Sequence, residues 1–131
     1  MPITIAFYGA LLGLVFIYLS VATLRRRKAV QAAIGDGGDV LLRKKVRAHG
    51  NFQEYVPISL ILLGYFEVLG ANPWLLHFSG AALLLGRISH AYGVSQRKEN
   101  LIFRVVGMSL TFVALLIACL GILFTLFVKG A

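Results

Sequence analysis

The stretch that decides the fold is residues 43–66, RKKVRAHGNFQEYVPISLILLGYF, in which a charged beginning runs into an apolar continuation. Four polar side chains recur in it at spacings of four, four and three residues: Arg43, Arg47, Asn51 and Glu54. These spacings place all four on one face of an α-helix. Ionisable groups at the edge of hydrocarbon are costly and usually face a protein interior. The stretch therefore predicts a helix that enters a membrane from its charged end and carries a polar site there.

The composition agrees with a membrane protein. Of the 131 residues, 59% are hydrophobic and 14% are charged, whereas about a quarter of a soluble domain is charged. Each of four segments has enough residues to cross hydrocarbon about 30 Å thick, and they lie near residues 3–24, 40–69, 74–93 and 101–128. Only helices satisfy their own backbone in lipid at these lengths. We therefore expect an all-α integral membrane protein, a four-transmembrane-helix bundle in which residues 1–131 form one domain.

The cations predict the orientation. Arg25-Arg26-Arg27-Lys28 follows the first segment directly, which indicates a stop-transfer signal rather than a cleaved signal peptide. Apart from Lys129, every Lys and Arg lies between segments one and two or near the junction of segments three and four. By the positive-inside rule both basic regions are cytoplasmic and both termini lie outside, with Trp74 at the outer interface. The net charge of +8 is then explained by topology and anionic lipid, without a nucleic-acid partner.

Turn and cap residues divide the segments. Gly35-Asp36-Gly37-Gly38 predicts a turn, with Asp39 or Asp36 as the N-cap of the second helix. This turn lacks the lysine and hydroxyl residues of a phosphate-binding P-loop. Asn100 suits the N-cap of the fourth helix, so Arg104 falls in or just after its first turn. There Arg104 would either bind lipid phosphate or join the helix dipole in stabilising a bound anion.

The polar stripe has two interpretations. Arg47 and Glu54 could form a structural ion pair between helices. Alternatively they could bind a zwitterionic ligand, with Arg47 holding a carboxylate and Glu54 accepting from an ammonium. Pro57 also frees the carbonyl of Gln53 as a further acceptor.

Polar groups in the other segments are sparse. Arg87 and His90 are three residues apart and share a helix face, so Arg87 either belongs to a site or snorkels to the headgroups. His49 and His90 have no third ligand at suitable spacing, so no metal is expected. Small residues indicate close helix packing, within the chain or between chains, in two places. One is the GxxxG spacing of Gly9 and Gly13, and the other is Gly107 with Ser109 in the fourth segment.

Residues 47–57, RAHGNFQEYVP, resemble the signature of the MAPEG family, the membrane-associated proteins in eicosanoid and glutathione metabolism. The shared pattern is Arg-x-x-x-Asn-x-x-Glu, with Pro three residues later, in the second of four spans. Length, layout and basic turns also fit, so the resemblance covers essentially the whole chain. It implies a homotrimer that binds glutathione as co-substrate between adjacent subunits, at the cytoplasmic side of the membrane. Span two of one subunit and spans three and four of its neighbour would grip the peptide.

The resemblance also implies residue roles. Arg104, at the start of span four, matches the family's catalytic arginine. The glutathione-binding candidates are Arg47, Asn51, Glu54, Tyr55, Arg87 and His90, to which we add Arg43 from the stripe and Tyr92 from span three. Two positions depart from relatives, because a family tyrosine is Val94 here and a second arginine of one relative is Gly50.

The function implied is that of a glutathione transferase or peroxidase in a bacterial inner membrane, acting on hydrophobic small molecules that enter from the lipid bilayer. One alternative is a non-catalytic binding or scaffold protein of the same fold. Another is a small multidrug-type transporter, which would need a carboxylate at mid-membrane. Glu54 and Glu67 lie instead near the two ends of the second segment.

Overall fold

The computed structural model describes residues 3–130, which form four helices: α1 (Ile3–Ala29), α2 (Val40–Val68), α3 (Pro73–Ser95) and α4 (Leu101–Lys129). The expected all-α, four-helix architecture is confirmed. The first apolar segment ends near Leu24, but helix α1 continues to Ala29, a few residues before the glycine turn. Arg and Lys are good helix formers, so the cations that end the apolar run do not end the helix.

The predicted caps hold the helix starts. Asp39 accepts a hydrogen bond from the backbone N–H of Leu42 at 2.6 Å, and Asn100 accepts from Ile102 and Phe103 at the start of α4. The glycine turn before α2 has left-handed backbone at three positions, Gly35, Gly37 and Gly38. Residues with a side chain rarely adopt this conformation, so the turn depends on glycine.

Two ion pairs tie this turn to its flanking helices. Arg26 donates from Nη2 to Asp39 at 2.6 Å and from Nε at 3.0 Å. The Arg26 guanidinium and the Leu42 N–H lower the pKa of Asp39 to about 2, so the cap stays ionised at neutral pH. Arg43 pairs with Asp36 in the same turn. Arg43, the first residue of the expected polar stripe, is therefore bound by the glycine turn.

The helices pack around a centre formed by α2 and α3. Helix α1 lies against both on one side and α4 lies against both on the other, and within residues 3–130 α1 and α4 do not touch. The backbones of α3 and α4 approach each other closely, and a Cβ atom placed on Gly107 would lie 2.6 Å from the carbonyl oxygen of Gly86. A Cβ on Gly13, by contrast, would meet nothing within 4 Å, so this glycine makes no close contact within residues 3–130. Close backbone packing between α3 and α4 depends on Gly86, Gly93 and Gly107.

One end of the bundle, called here the basic end, carries the cations of residues 25–28 and of the loop between α3 and α4. At the opposite end the carboxylate of Glu67 accepts from the backbone N–H groups of Thr4 at 2.8 Å and Ile5 at 2.9 Å. It satisfies donors that the first turn of α1 would otherwise leave free. Lys129 donates to the carbonyl of Leu69 at 3.0 Å. These bonds join the start of α1 and the end of α4 to the end of α2.

The outer faces of the bundle are apolar. Tyr18 is 70% exposed, Leu120 62% and Phe127 84%. Water-soluble monomers rarely expose apolar surface on this scale. By length and composition, two helices of the described chain, α1 and α4, could span a membrane. The expectation of four spans is thus supported directly for two of them.

Candidate functional site

The site candidates converge on His90, in the half of the bundle nearer the basic end. The His90 ring is within electrostatic range of three guanidinium groups, contributed by Arg87 of α3, Arg104 of α4 and Arg47 of α2. His90 is buried and only 6% exposed. Three helices therefore place cations around one buried residue.

Arg87 is the most deeply buried of these cations, at 1% exposure. Its Nη1 donates to Oδ1 of Asn51 at 2.8 Å, and its Nη2 lies 3.2 Å from the sulfur of Met108. Its Cζ lies 5.4 Å from the centre of the Tyr55 ring, a cation–π contact. The alternative that Arg87 snorkels to the headgroups is therefore wrong, because contacts from α2 and α4 hold it inside.

The charge of Arg87 has no acidic partner among residues 3–130, and its Nε makes no hydrogen bond there. A buried cation held by an amide, a thioether and an aromatic face keeps most of its field. Arg87 therefore contributes positive potential to this part of the bundle.

The polar stripe of α2 links this interior to the surface. Asn51 donates from Nδ2 to Glu54 at 3.3 Å, and Nη1 of Arg47 lies 3.9 Å from Oε1 of Glu54. The side chains of Arg47 and Glu54 are 72% and 53% exposed. The expected ion pair between helices is thus a contact within α2, and at this exposure it adds little stability. The guanidinium of Arg47 and the carboxylate of Glu54 therefore remain available to a ligand.

Arg104 lies at the mouth of a cleft of about 390 Å³ between α3 and α4. The cleft is lined by His90, Leu101, Arg104, Val105, Met108, Ser109 and Phe112. Arg104 pairs with Glu99, whose other oxygen lies 3.8 Å from Nζ of Lys44. Among residues 3–130 the buried Nε of Arg104 has no hydrogen-bond acceptor. The cleft therefore combines an apolar wall with a cation, Arg104, that is paired to Glu99.

Seven of the nine candidates are brought together: Arg47, Asn51, Glu54, Tyr55, Arg87, His90 and Arg104. The two that lie apart are Arg43, which is engaged by Asp36, and Tyr92. The Tyr92 ring lies edge-on to the ring of Phe103, with 5.3 Å between the ring centres. Tyr92 also lines a different groove, between α1 and α3. Two residues along a helix turn the side chain by more than half a circle, so Tyr92 faces away from His90.

Sequence reasoning missed several site residues. The sulfur of Met108 accepts from Arg87. The ring of Phe112 packs edge-on against that of Tyr55, with 5.8 Å between the ring centres. Glu99 forms an ion pair with Arg104. Met108 and Phe112 follow Arg104 by four and eight residues. This spacing marks one helix face and could have revealed both.

The other polar groups do not form a metal site within residues 3–130, where no three His, Cys, Asp or Glu side chains cluster. His49 instead lies 2.9 Å from the hydroxyl of Ser20 and stacks on Phe16. His49 is thus held by α1, on the other side of the bundle from the cleft.

Comparisons with known proteins agree with this fold. The model of the MAPEG family matches residues 5–124. The inner membrane protein YecN of Escherichia coli K12 is 39% identical over 116 residues, which cover 88% of this chain and 87% of YecN. The protein of the same name from Escherichia coli O6:H1 gives the same values. The chain therefore belongs to the MAPEG family.

Proposed function

We propose that this protein is a membrane-bound glutathione transferase or peroxidase, which activates bound glutathione as a thiolate for attack on lipophilic electrophiles. The observation that carries the proposal is the convergence of Arg47, Arg87 and Arg104 around His90, beside an apolar cleft. An anionic peptide with a reactive thiol suits this charge, and the apolar wall suits a lipophilic second substrate.

Each group has a role in the proposed complex. The exposed Arg47 holds a glutathione carboxylate, and Glu54 accepts from the ammonium. Asn51 fixes the position of these groups through its bonds to Arg87 and Glu54. Tyr55, with its ring over Arg87, forms part of the wall. The Arg104 guanidinium, which lines the cleft, stabilises the sulfur anion.

The energy required is within reach of such a site. A thiol with a pKa near 8.5 is only a few per cent ionised at pH 7. Lowering that pKa by about two units needs about 2.7 kcal/mol, and a hydrogen bond to a charged group contributes about 1.5–3 kcal/mol. Arg104, near the positive end of the α4 dipole, can therefore supply most of the stabilisation.

Two reactions follow from a bound thiolate. With an electrophilic carbon, the sulfur forms a C–S bond and the leaving group departs with the bonding electrons. With a hydroperoxide, the thiolate sulfur attacks the terminal oxygen and the O–O bond breaks. The products are the sulfenic acid of glutathione and an alkoxide, which takes a proton from water to become the alcohol. A second glutathione then forms the disulfide and releases water.

We also propose the arrangement in the cell: a homotrimer with four spans per subunit in a bacterial inner membrane, with both termini outside and the site at the cytoplasmic side. Three observations support the placement of the subunit in the membrane. The candidate site lies toward the basic end, the outer faces of α1 and α4 are apolar, and the similar E. coli protein is named as an inner membrane protein.

The test is ultraviolet difference spectroscopy of the purified protein titrated with glutathione. The wild type is compared with Arg104→Ala and with a control, Arg97→Ala, which removes an exposed cation from the same end. We expect a saturable thiolate band at neutral pH in the wild type and the control, and binding without the band in Arg104→Ala. No glutathione binding by the wild type would contradict the proposal.

A non-catalytic binding protein is the second candidate, favoured by one observation. Glu99 already neutralises Arg104, so a ligand must compete with it for the cation. Saturable glutathione binding without a thiolate band in the wild type, unchanged by Arg104→Ala, would select this function instead.

A further inference from the structure

A second and larger cavity lies on the side of the bundle away from the α4 cleft. It is a groove of about 600 Å³, lined by residues of α1 and α3 and by Lys45 of α2. None of its lining residues lines the cleft beside Arg104. The groove therefore needs an explanation separate from the glutathione site.

The groove has an apolar wall and a polar rim. The wall consists of Leu14, Val15, Leu19, Ala22, Ile88 and Ala91. Along α1 it extends from Leu14 to Ala22, which corresponds to about 12 Å of helix. The rim at the basic end is formed by Lys45, Ser95 and Gln96. A ligand that fits both parts has an apolar chain and a polar, hydrogen-bonding head.

Lys45 indicates the charge of that head. Its neighbour Lys44 is fully engaged, since it donates to the carbonyls of Gln96 at 3.1 Å and Arg97 at 2.8 Å. The ammonium of Lys45, by contrast, has no ion pair or hydrogen bond among residues 3–130. The groove thus presents one uncompensated cation at its polar end, where an anion would complete it.

We propose that this groove binds an anionic phospholipid of the leaflet at the basic end. The phosphate pairs with Lys45, and one acyl chain lies along the apolar wall between α1 and α3. Polar rim groups of Ser95 and Gln96 face the glycerol region. A neutral peptide helix would fill the apolar wall but would leave Lys45 without a partner, so charge complementarity favours the lipid.

The test is native mass spectrometry of the full-length protein in detergent. The protein is titrated with phosphatidylglycerol or phosphatidylcholine of identical acyl chains. The variants are Lys45→Gln, which removes the cation, and Ile88→Trp, which fills the groove. The control is Lys98→Gln, which removes an exposed cation outside the groove. Glutathione binding is measured on the same samples, so loss of one ligand is distinguished from loss of the other.

We expect the wild type and Lys98→Gln to retain phosphatidylglycerol in preference to phosphatidylcholine. Lys45→Gln should weaken the binding of phosphatidylglycerol about fivefold, which is the change typical of one Lys near an anionic surface. Ile88→Trp should weaken the binding of both lipids. Equal retention of the two lipids by the wild type, or an unchanged preference in Lys45→Gln, would overturn the proposal. Dissociation of oligomers by Ile88→Trp, with lipid binding unchanged, would also overturn it and assign the groove to a second copy.

Discussion

At the scale of single residues, Asn51 connects the interior of the site to its surface. Its amide accepts from the buried Arg87 and donates to the exposed Glu54. Asn51→Ala would remove the amide oxygen at 2.8 Å and leave Nη1 of Arg87 with only the backbone carbonyl oxygen of residue 51, at 3.5 Å. We expect a loss of about 1.5–3 kcal/mol of stability, the usual value of a hydrogen bond to a charged group. Unfolding in mixed micelles with increasing SDS, followed by circular dichroism, measures it. Gln53→Ala, at an exposed neighbouring position, is the control, and equal stability of the two variants would contradict the prediction.

Glu99 is the residue that competes with a ligand for Arg104. Removing its charge in Glu99→Gln leaves the guanidinium free to pair with an incoming anion. Half-exposed ion pairs contribute about 0.2–1 kcal/mol, so we expect glutathione to bind up to about fivefold more tightly. Isothermal titration calorimetry measures the affinity. Asp36→Asn, which breaks an ion pair in the other basic loop, should leave the affinity unchanged. Weaker binding in Glu99→Gln would show that Glu99 itself holds the ligand.

The roles of these residues could be predicted from the sequence only in part. The spacing of Arg47, Asn51 and Glu54 identified one helix face because helical period is a local property. The partners of Arg87 could not be identified, because they depend on how three helices pack. Met108 carries no charge to mark it as a partner, and the pairing of Arg104 with Glu99 depends on side-chain rotamers at a helix start.

At the scale of elements, the α3–α4 contact positions His90 relative to Arg104. A Cβ on Gly107 would lie 2.6 Å from the carbonyl oxygen of Gly86 and from the backbone nitrogen of His90. Gly107→Ala should push the helices apart and cost about 1–3 kcal/mol, as overpacking usually does. We expect weaker glutathione binding as well as lower SDS resistance. Gly13→Ala is the matched control, because a Cβ there meets nothing within 4 Å. The same loss in both variants would mean that helix packing is not the cause.

Helix extents were largely predictable, because caps and turn glycines are local signals. Asp39 and Asn100 begin α2 and α4 as predicted. The end of α1 was not predictable from hydropathy, which reports where hydrocarbon ends rather than where hydrogen bonding ends. The GxxxG spacing of α1 likewise indicates small residues but not which surface they meet.

At the scale of the whole molecule, charge distribution predicts the orientation. In a Cys119→Ala background, a cysteine placed at Trp74 should react with a membrane-impermeant maleimide on intact cells. One placed at Lys98 should react only after the membrane is permeabilised. Both positions are exposed, so access depends on the side of the membrane. The reverse pattern would invert the topology and move the candidate site to the outer face.

The bond between Glu67 and the first turn of α1 has a consequence for biogenesis. The carboxylate lies 63 residues after the backbone group of Thr4 that it accepts from. While the chain leaves the ribosome, α1 is synthesised and delivered to the membrane long before its cap exists. Its first turn gains these two hydrogen bonds only when the far end of α2 arrives beside it. The first turn of α1 is therefore completed late, and we expect its completion to depend on the insertion of α2.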